Sequence, residues 1–285
     1  TAGLRGLLLD ILHTLNGQHA ANAIVNLKTS FGGGKTHTEL AVYHLFAHPE
    51  ESMRVPEVRA LVKEAGLDAP PACRVAVLPG TNLSPTGRKT ADGLQIRTLW
   101  GETAYRLGGR EAFALVAEED AHLVSPGEDK LRQVLESVGP SLILLDETLH
   151  YVDKASAITN NIDDLAKQTV AFLRELTGVV DSLGNSMLVV SLTASRMDQL
   201  SPRAQDWLER MEHHVNRLAH PCTPIEGTEI HEVVRRRLFE KVDENAAVAT
   251  ANRYHQLYKG TAGIPGQYVD AAYRDLMRRS YPFHP

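Results

Sequence analysis

Cysteine is nearly absent from this chain. Its 285 residues include only Cys73 and Cys222, with no C-x-x-C pair. That removes a disulfide framework and a cysteine zinc site, and it fits a reducing, cytoplasmic compartment. No apolar run approaches the roughly 20 residues that cross a bilayer, so no membrane helix is expected. The apolar start (Leu4, Leu7, Leu8, Ile11, Leu12, Leu15) carries Arg5, Asp10 and His13. Its spacing is that of an amphipathic helix, not a signal peptide. A basic excess is missing too: formal net charge is −5, which argues against a dedicated DNA-binding module but not against a local basic pore. The 13 histidines, His37, His44, His48 and the pair His213-His214 among them, lack the carboxylate company of a metal site and read as solvated or hydrogen-bonded groups. What is left, 43% hydrophobic and 23% charged, is an ordinary globular composition, long enough for one large domain or two moderate ones.

The most informative stretch is Ala23 to Phe46, AIVNLKTSFGGGKTHTELAVYHLF. An apolar run through Ile24, Val25 and Leu27 predicts a buried strand. It breaks at Gly32-Gly33-Gly34-Lys35-Thr36, and a helical pattern follows through Leu40, Tyr43 and Phe46. Strand, glycine loop ending in Lys-Thr, then helix is the context of a phosphate-binding loop. Glycines let successive N–H groups turn inward without a Cβ, and the helix N-terminus adds positive field. The stretch Ser30, Phe31, Gly32, Gly33, Gly34, Lys35, Thr36 and His37 is therefore the expected cradle for ATP. Lys35 reaches the β- and γ-phosphates in this reading, and the Thr36 hydroxyl ligates Mg²⁺. The usual pattern begins with Gly six places before the lysine; here Thr29 stands there, so the loop is a variant.

A second motif is Ser141 to Thr148, SLILLDET. Leu142 to Leu145 read as a strand buried on both faces, as in parallel sheets. It delivers Asp146 and Glu147 at its carboxyl end, where an acidic pair marks a site because burying it without partners costs too much. Asp146 is expected to hold Mg²⁺, and Glu147 to orient and polarise the attacking water. A further apolar strand, Met187 to Thr193, ends in Ser191, Thr193, Ser195 and Arg196. Thr193 is the candidate that reads the γ-phosphate or positions the water; a hydroxyl satisfying strand-end backbone is the alternative.

Ser201-Pro202 starts a helix whose buried stripe is Ala204, Trp207, Leu208, Met211, Val215 and Leu218. Arg203, Arg210 and Arg217 recur every seven residues along its edge. Most such arginines belong to a solvated face. Arg217, just before the short His220-to-Pro224 segment, is the choice for an arginine that crosses a subunit boundary. Asn82, in the polar loop after the RVAVL strand, is a weaker candidate for a residue held against Glu147. From Gly227 the composition turns helical, with the triplet Arg235-Arg236-Arg237 on one helix, read as an exposed face, with contact to phosphates as the alternative. The expected domains are 1–224, an α/β nucleotide-binding domain, and 225–285, a helical lid.

This order of motifs resembles the AAA+ ATPases. More narrowly, LKTSFGGGKTHTELAVYHLF, TLWGETAYRLGG, LILLDETLHYV, EVVRRRLFE and YPFHP resemble a bacterial family of large AAA+ ATPases catalogued as a domain of unknown function, often encoded beside DNA methyltransferases and helicases in phage-defence or restriction clusters. The resemblance implies a three-layer P-loop NTPase fold with a five-stranded parallel sheet, followed by the lid. It also implies a homo-oligomeric ring, DNA or partner proteins of a defence complex, and a lid arginine beyond Pro285. With no Met at the start and an abrupt ending, the chain is expected to be a piece of a longer polypeptide with a truncated lid. The expected function is Mg²⁺-dependent ATP hydrolysis that drives conformational change in an assembly. Two rivals stand beside it. One is a nucleic-acid helicase motor, disfavoured because His150 lies one place too far for D-E-x-H and no second α/β lobe is evident. The other is a nucleotide-gated scaffold with little turnover. An L-S-G-G-Q segment, which a transporter ATPase needs, is missing.

Overall fold

A computed structural model describes residues 1–18, 22–28, 34–158, 165–192, 200–225 and 230–285. The elements run α1 (Ala2–Leu15), β1 (Ile24–Leu27), α2 (Lys35–Ala47), α3 (Pro49–Ser52), α4 (Pro56–Glu64), β2 (Arg74–Pro79), β3 (Arg88–Lys89), β4 (Gln95–Ile96), α5 (Leu99–Ala114), α6 (Ala117–His122) and α7 (Gly127–Val138). Then come β5 (Ser141–Asp146), α8 (Thr148–Ser156), α9 (Leu165–Leu183), β6 (Ser186–Val190), α10 (Pro202–Val215), β7 (His220–Cys222), α11 (Ile230–Leu238), α12 (Glu244–Gly260), a 3₁₀ turn (Gly266–Tyr268) and α13 (Ala271–Ser280).

Five strands form one parallel sheet in the order β2-β5-β6-β1-β7. The connection from β1 to β2 crosses the sheet in one direction. Those from β2 to β5, β5 to β6 and β6 to β7 cross it in the other. Right-handed crossovers place α2 to α4 on one face and α5 to α10 on the opposite one. Alternation along each strand divides the core accordingly. Leu142, Leu144, Met187 and Val189 meet Ile11, Val42, Phe46 and Val62, while Ile143, Leu145, Leu188 and Val190 meet Trp100, Val134, Phe172 and Met211. A strand covered on both sides has no polar face, and for that reason β5 reads as an unbroken apolar run. The result is three layers: helices, a five-stranded parallel sheet, helices.

Two elements differ from the sequence reading. The polar segment HPC is a strand, β7, at the rim of the sheet beside β1. Lys28 N–H donates to Cys222 O, so Cys222 turns towards β1 and the preceding Pro221 faces outward, where a missing N–H costs no ladder bond. The loop after β2 contains an antiparallel hairpin, β3 with β4. Asp120 fixes its far end: this buried carboxylate accepts the backbone N–H groups of Arg97 and Thr98 and the Thr98 hydroxyl, and Thr98 in turn caps α5.

The chain divides into two compact units, Ala2–Pro224 and Ile225–Pro285, the latter taking in Thr1. In the second unit, Asp243 caps α12 and Asp270 caps α13. The arginine triplet is split: Arg235 bonds Glu244 and the Arg279 carbonyl, whereas Arg236 pairs outward with Glu232. No described helix is long and apolar enough to cross a membrane.

Candidate functional site

In open parallel sheets a ligand binds outside the carboxyl ends of the strands, where neighbouring crossovers depart in opposite directions. Here that place lies at the end of β1, between it and β6, with β5 next in the sheet. Of the residues singled out in the sequence, Lys35, Thr36, Asp146 and Glu147 lie at this end.

Gly34 opens α2 with φ 80 and ψ 14, a left-handed conformation that glycine adopts without penalty. Its carbonyl accepts the first helical bond, from Thr38 N–H at 2.9 Å. Lys35 is buried and Thr36 and His37 are exposed at the start of the helix. Ser30, Phe31, Gly32 and Gly33 lie outside the described residues, as do Thr193, Ser195 and Arg196.

At the tip of β5, Asp146 is half-buried and Glu147 takes φ 47 and ψ 45, so that it starts α8 from a left-handed residue. Backbone in that region costs a non-glycine residue about 1–3 kcal/mol and persists only where the surroundings over-determine it. They do so from both neighbouring strands. Gly80, after β2, donates its N–H to Asp146 O at 2.7 Å, and a Cβ there would stand 2.4 Å from Glu147 O. On the β6 side, Ser191 N–H donates to Leu145 O, Thr148 N–H to Ser191 O, and Leu149 N–H to Leu192 O.

A third carboxyl, absent from the sequence reading, completes the cluster. Glu39 lies one helical turn after Lys35, is 5% exposed, and sits beside Asp146. Burial, then the charge and contact of Asp146, push the Glu39 carboxyl up to about 9, with Lys35 opposing. Burial also raises Asp146, helped by the charge of Glu147 and opposed by contacts with Glu39, Ser191 and the Glu147 backbone. Lys35, Glu39, Asp146 and Glu147 thus form one electrostatic cluster, in which Glu39 keeps its proton at neutral pH and Lys35 stands against the carboxyls of Asp146 and Glu147. His150 stands 3.9 Å from Glu147.

Two oxygens of this cluster mark the place where a divalent cation fits. Glu39 Oε1 and Asp146 Oδ1 are buried without a hydrogen-bond partner, which is the state of oxygens that await a ligand. Among the described residues no group of three His, Cys, Asp or Glu side chains is arranged to hold a metal alone. Mg²⁺ does not need one: it takes one or two protein oxygens and fills its octahedron with water and phosphate. Asp146 and the Thr36 hydroxyl fit that donor set. Both line a cleft of about 480 Å³, as does Glu39. Leu40, Tyr43, Val75 and Val77 form apolar walls, and Arg106 lines it from α5. Arg106 reaches the edge strand to bond Val77 O while pairing with the buried Glu102.

Two candidates sit elsewhere. Arg217 is exposed in the turn after α10, before the amino end of β7. That end of the sheet is opposite the acids, so Arg217 does not line its own cleft. Its heptad mates are engaged within the chain, Arg203 with Asp153 and Arg210 with Asp206. Asn82 is exposed and lines a separate, smaller cavity.

The Glu39 carboxyl carries a pH signature. Its ordinary value is 4.5 and its folded value about 9, so between these the unfolded chain releases a proton that the folded protein keeps. Stability of the cation-free protein then falls as pH rises through that window, by up to roughly 1.4 kcal/mol per pH unit. Glu39→Gln, which cannot ionise, should gain stability relative to the parent as pH rises from 5.5 to 8. Urea unfolding at the two values checks this, and an unchanged gap between the proteins would refute the assignment.

Among known families, residues 1–230 match the model described as the DUF499 N-terminal domain. Comparisons with curated proteins and with solved structures returned no match.

Proposed function

The chain belongs to the DUF499 N-terminal domain family, and from that premise and the cleft we propose a Mg²⁺-dependent ATPase of the AAA+ type. One observation carries the reading. Lys35 and Thr36 on α2, and Asp146 and Glu147 after β5, share one electrostatic cluster at the carboxyl end of the sheet, with a buried Asp146 oxygen left unpaired.

The division of labour follows from position. Lys35, buried at the first turn of α2, binds terminal phosphate oxygens together with the N–H groups of the glycine loop. The Thr36 hydroxyl and Asp146 hold Mg²⁺, which supplies the charge neutralisation that in-line phosphoryl transfer needs. Glu147, on a rigid turn one residue further, orients a water and accepts its proton. The clamped backbone presets this geometry, so little reorganisation remains for the reaction step. Arg217, remote from its own cleft, is assigned to a neighbouring copy's site, which makes turnover a property of a homo-oligomeric ring. The helical unit 225–285 serves as the lid. The assembly works in the cytoplasm on DNA or on partner proteins of a bacterial defence system.

ATP turnover by the chain should require Mg²⁺, vanish with chelator, and rise faster than linearly with protein concentration. A phosphate-release assay across protein concentrations tests this. Absence of both ATP binding and turnover at high concentration would remove the ATPase reading; tight binding without turnover would favour a nucleotide-gated scaffold.

A further inference from the structure

Behind β2, away from the acids, lies a second cavity of about 150 Å³ in front of the amino end of α5. Sequence reading assigned nothing to it beyond Asn82. Its lining is cationic for its size: Arg88, Arg97 and Arg106 face one buried carboxylate, Glu102. Arg88 bonds Glu102 through Nε and Nη2, and Arg106 bonds it through Nε. A guanidinium carries five N–H donors, so each arginine retains donors beyond this pairing. Asp120, behind the cavity, is occupied by the N–H groups of Arg97 and Thr98. With it included, the local charge is still one positive.

Two features point to an anion. The first turn of the 16-residue helix α5 opens on the cavity through Thr98 and Leu99, and a helix N-terminus favours negative charge. Independently, Tyr151 projects into it from α8. This side chain is 2% exposed and its hydroxyl has no hydrogen-bond partner; the Leu99 backbone comes near outside hydrogen-bond geometry, and the carboxylates of Asp120 and Glu102 act on it through their charge, which leaves the hydroxyl a donor. A buried phenol without a partner costs about 1–3 kcal/mol and calls for an explanation.

We propose that this cavity is a binding site for inorganic phosphate, held by the Tyr151 hydroxyl, the free guanidinium donors of Arg88 and Arg106, and the amino end of α5. Size supports the choice. A pocket for a nucleotide needs at least about 300 Å³, whereas 150 Å³ holds about five water volumes or one tetrahedral oxyanion. Arg106 lines both this cavity and the larger cleft, so a phosphate released in the cleft has a cationic neighbour to move to. The binding claim itself stands apart from the ATPase reading.

Titrating the full chain with inorganic phosphate at constant ionic strength, followed by ³¹P line broadening or calorimetry, tests it. We expect saturable binding that survives Lys35→Ala and weakens about tenfold or more in Tyr151→Phe and in Arg88→Gln. Tyr151→Phe should keep or raise the melting temperature, since it deletes only an unpaired hydroxyl. A purely structural tyrosine would leave phosphate affinity unmoved. Parental affinity in Tyr151→Phe, or no saturable binding, overturns the proposal. Loss of binding in Lys35→Ala also overturns it, because the ion would then sit at the glycine loop. Failure to bind ATP counts against the ATPase alone.

Discussion

Glutamine at position 147 is expected to cut ATP turnover by about 10²- to 10⁴-fold while ATP stays bound, the usual range for loss of a positioned proton acceptor. The substitution keeps shape and removes only the ability to take a proton from water. It should also be structurally mild. The left-handed turn at Glu147 is held by backbone groups of Gly80, Ser191 and Leu192, none of which depends on the carboxylate. Because the Glu147 charge pushes up both Asp146 and Glu39, its removal relieves like-charge repulsion, and the cation-free protein should be no less stable than the parent. Single-turnover hydrolysis with a binding control separates the steps, and parental turnover in Glu147→Gln would take the glutamate out of the assigned role.

The second large effect is expected at Lys35. Removing its ammonium deletes a charge-assisted contact to phosphate, worth about 1.5–3 kcal/mol or roughly 10- to 150-fold in affinity. It also strips the acidic cluster of the one cation that opposes the upward shift of Glu39. Lys35→Ala should thus lower ATP affinity by about 100-fold and destabilise the cation-free protein at neutral pH. Fluorescent-nucleotide titration and thermal unfolding report on the two effects separately. Unaltered nucleotide affinity would place the phosphates elsewhere.

The four candidates that the described structure brings together, Lys35, Thr36, Asp146 and Glu147, are legible in the bare chain because their motifs are local. An apolar run ending in two acids, and glycines ending in Lys-Thr, each state a conformation and a chemistry within eight residues. Glu39 escaped because its meaning is tertiary. Four residues after Lys35 on a helix it shares the lysine's face, but only the approach of β5 turns an ordinary helical glutamate into the neighbour of Asp146. Arg106 escaped for a similar reason: its guanidinium matters through the edge of β2, 29 positions away in sequence. β7 was hidden by composition, since His220, Pro221 and Cys222 lack every β-propensity signal and pair through register with β1 alone. The hairpin of β3 and β4 has two residues per strand, too few for alternation to show.

The two rims of the sheet carry a consequence for self-assembly. At one rim Pro221 offers no amide to an incoming chain, and at the other the Val77 carbonyl already has a guanidinium on it. Neither border invites another ribbon to extend the ladder. Contacts between copies made through side-chain surfaces instead would leave the register of β5, and the Asp146 at its tip, undisturbed as subunits come and go.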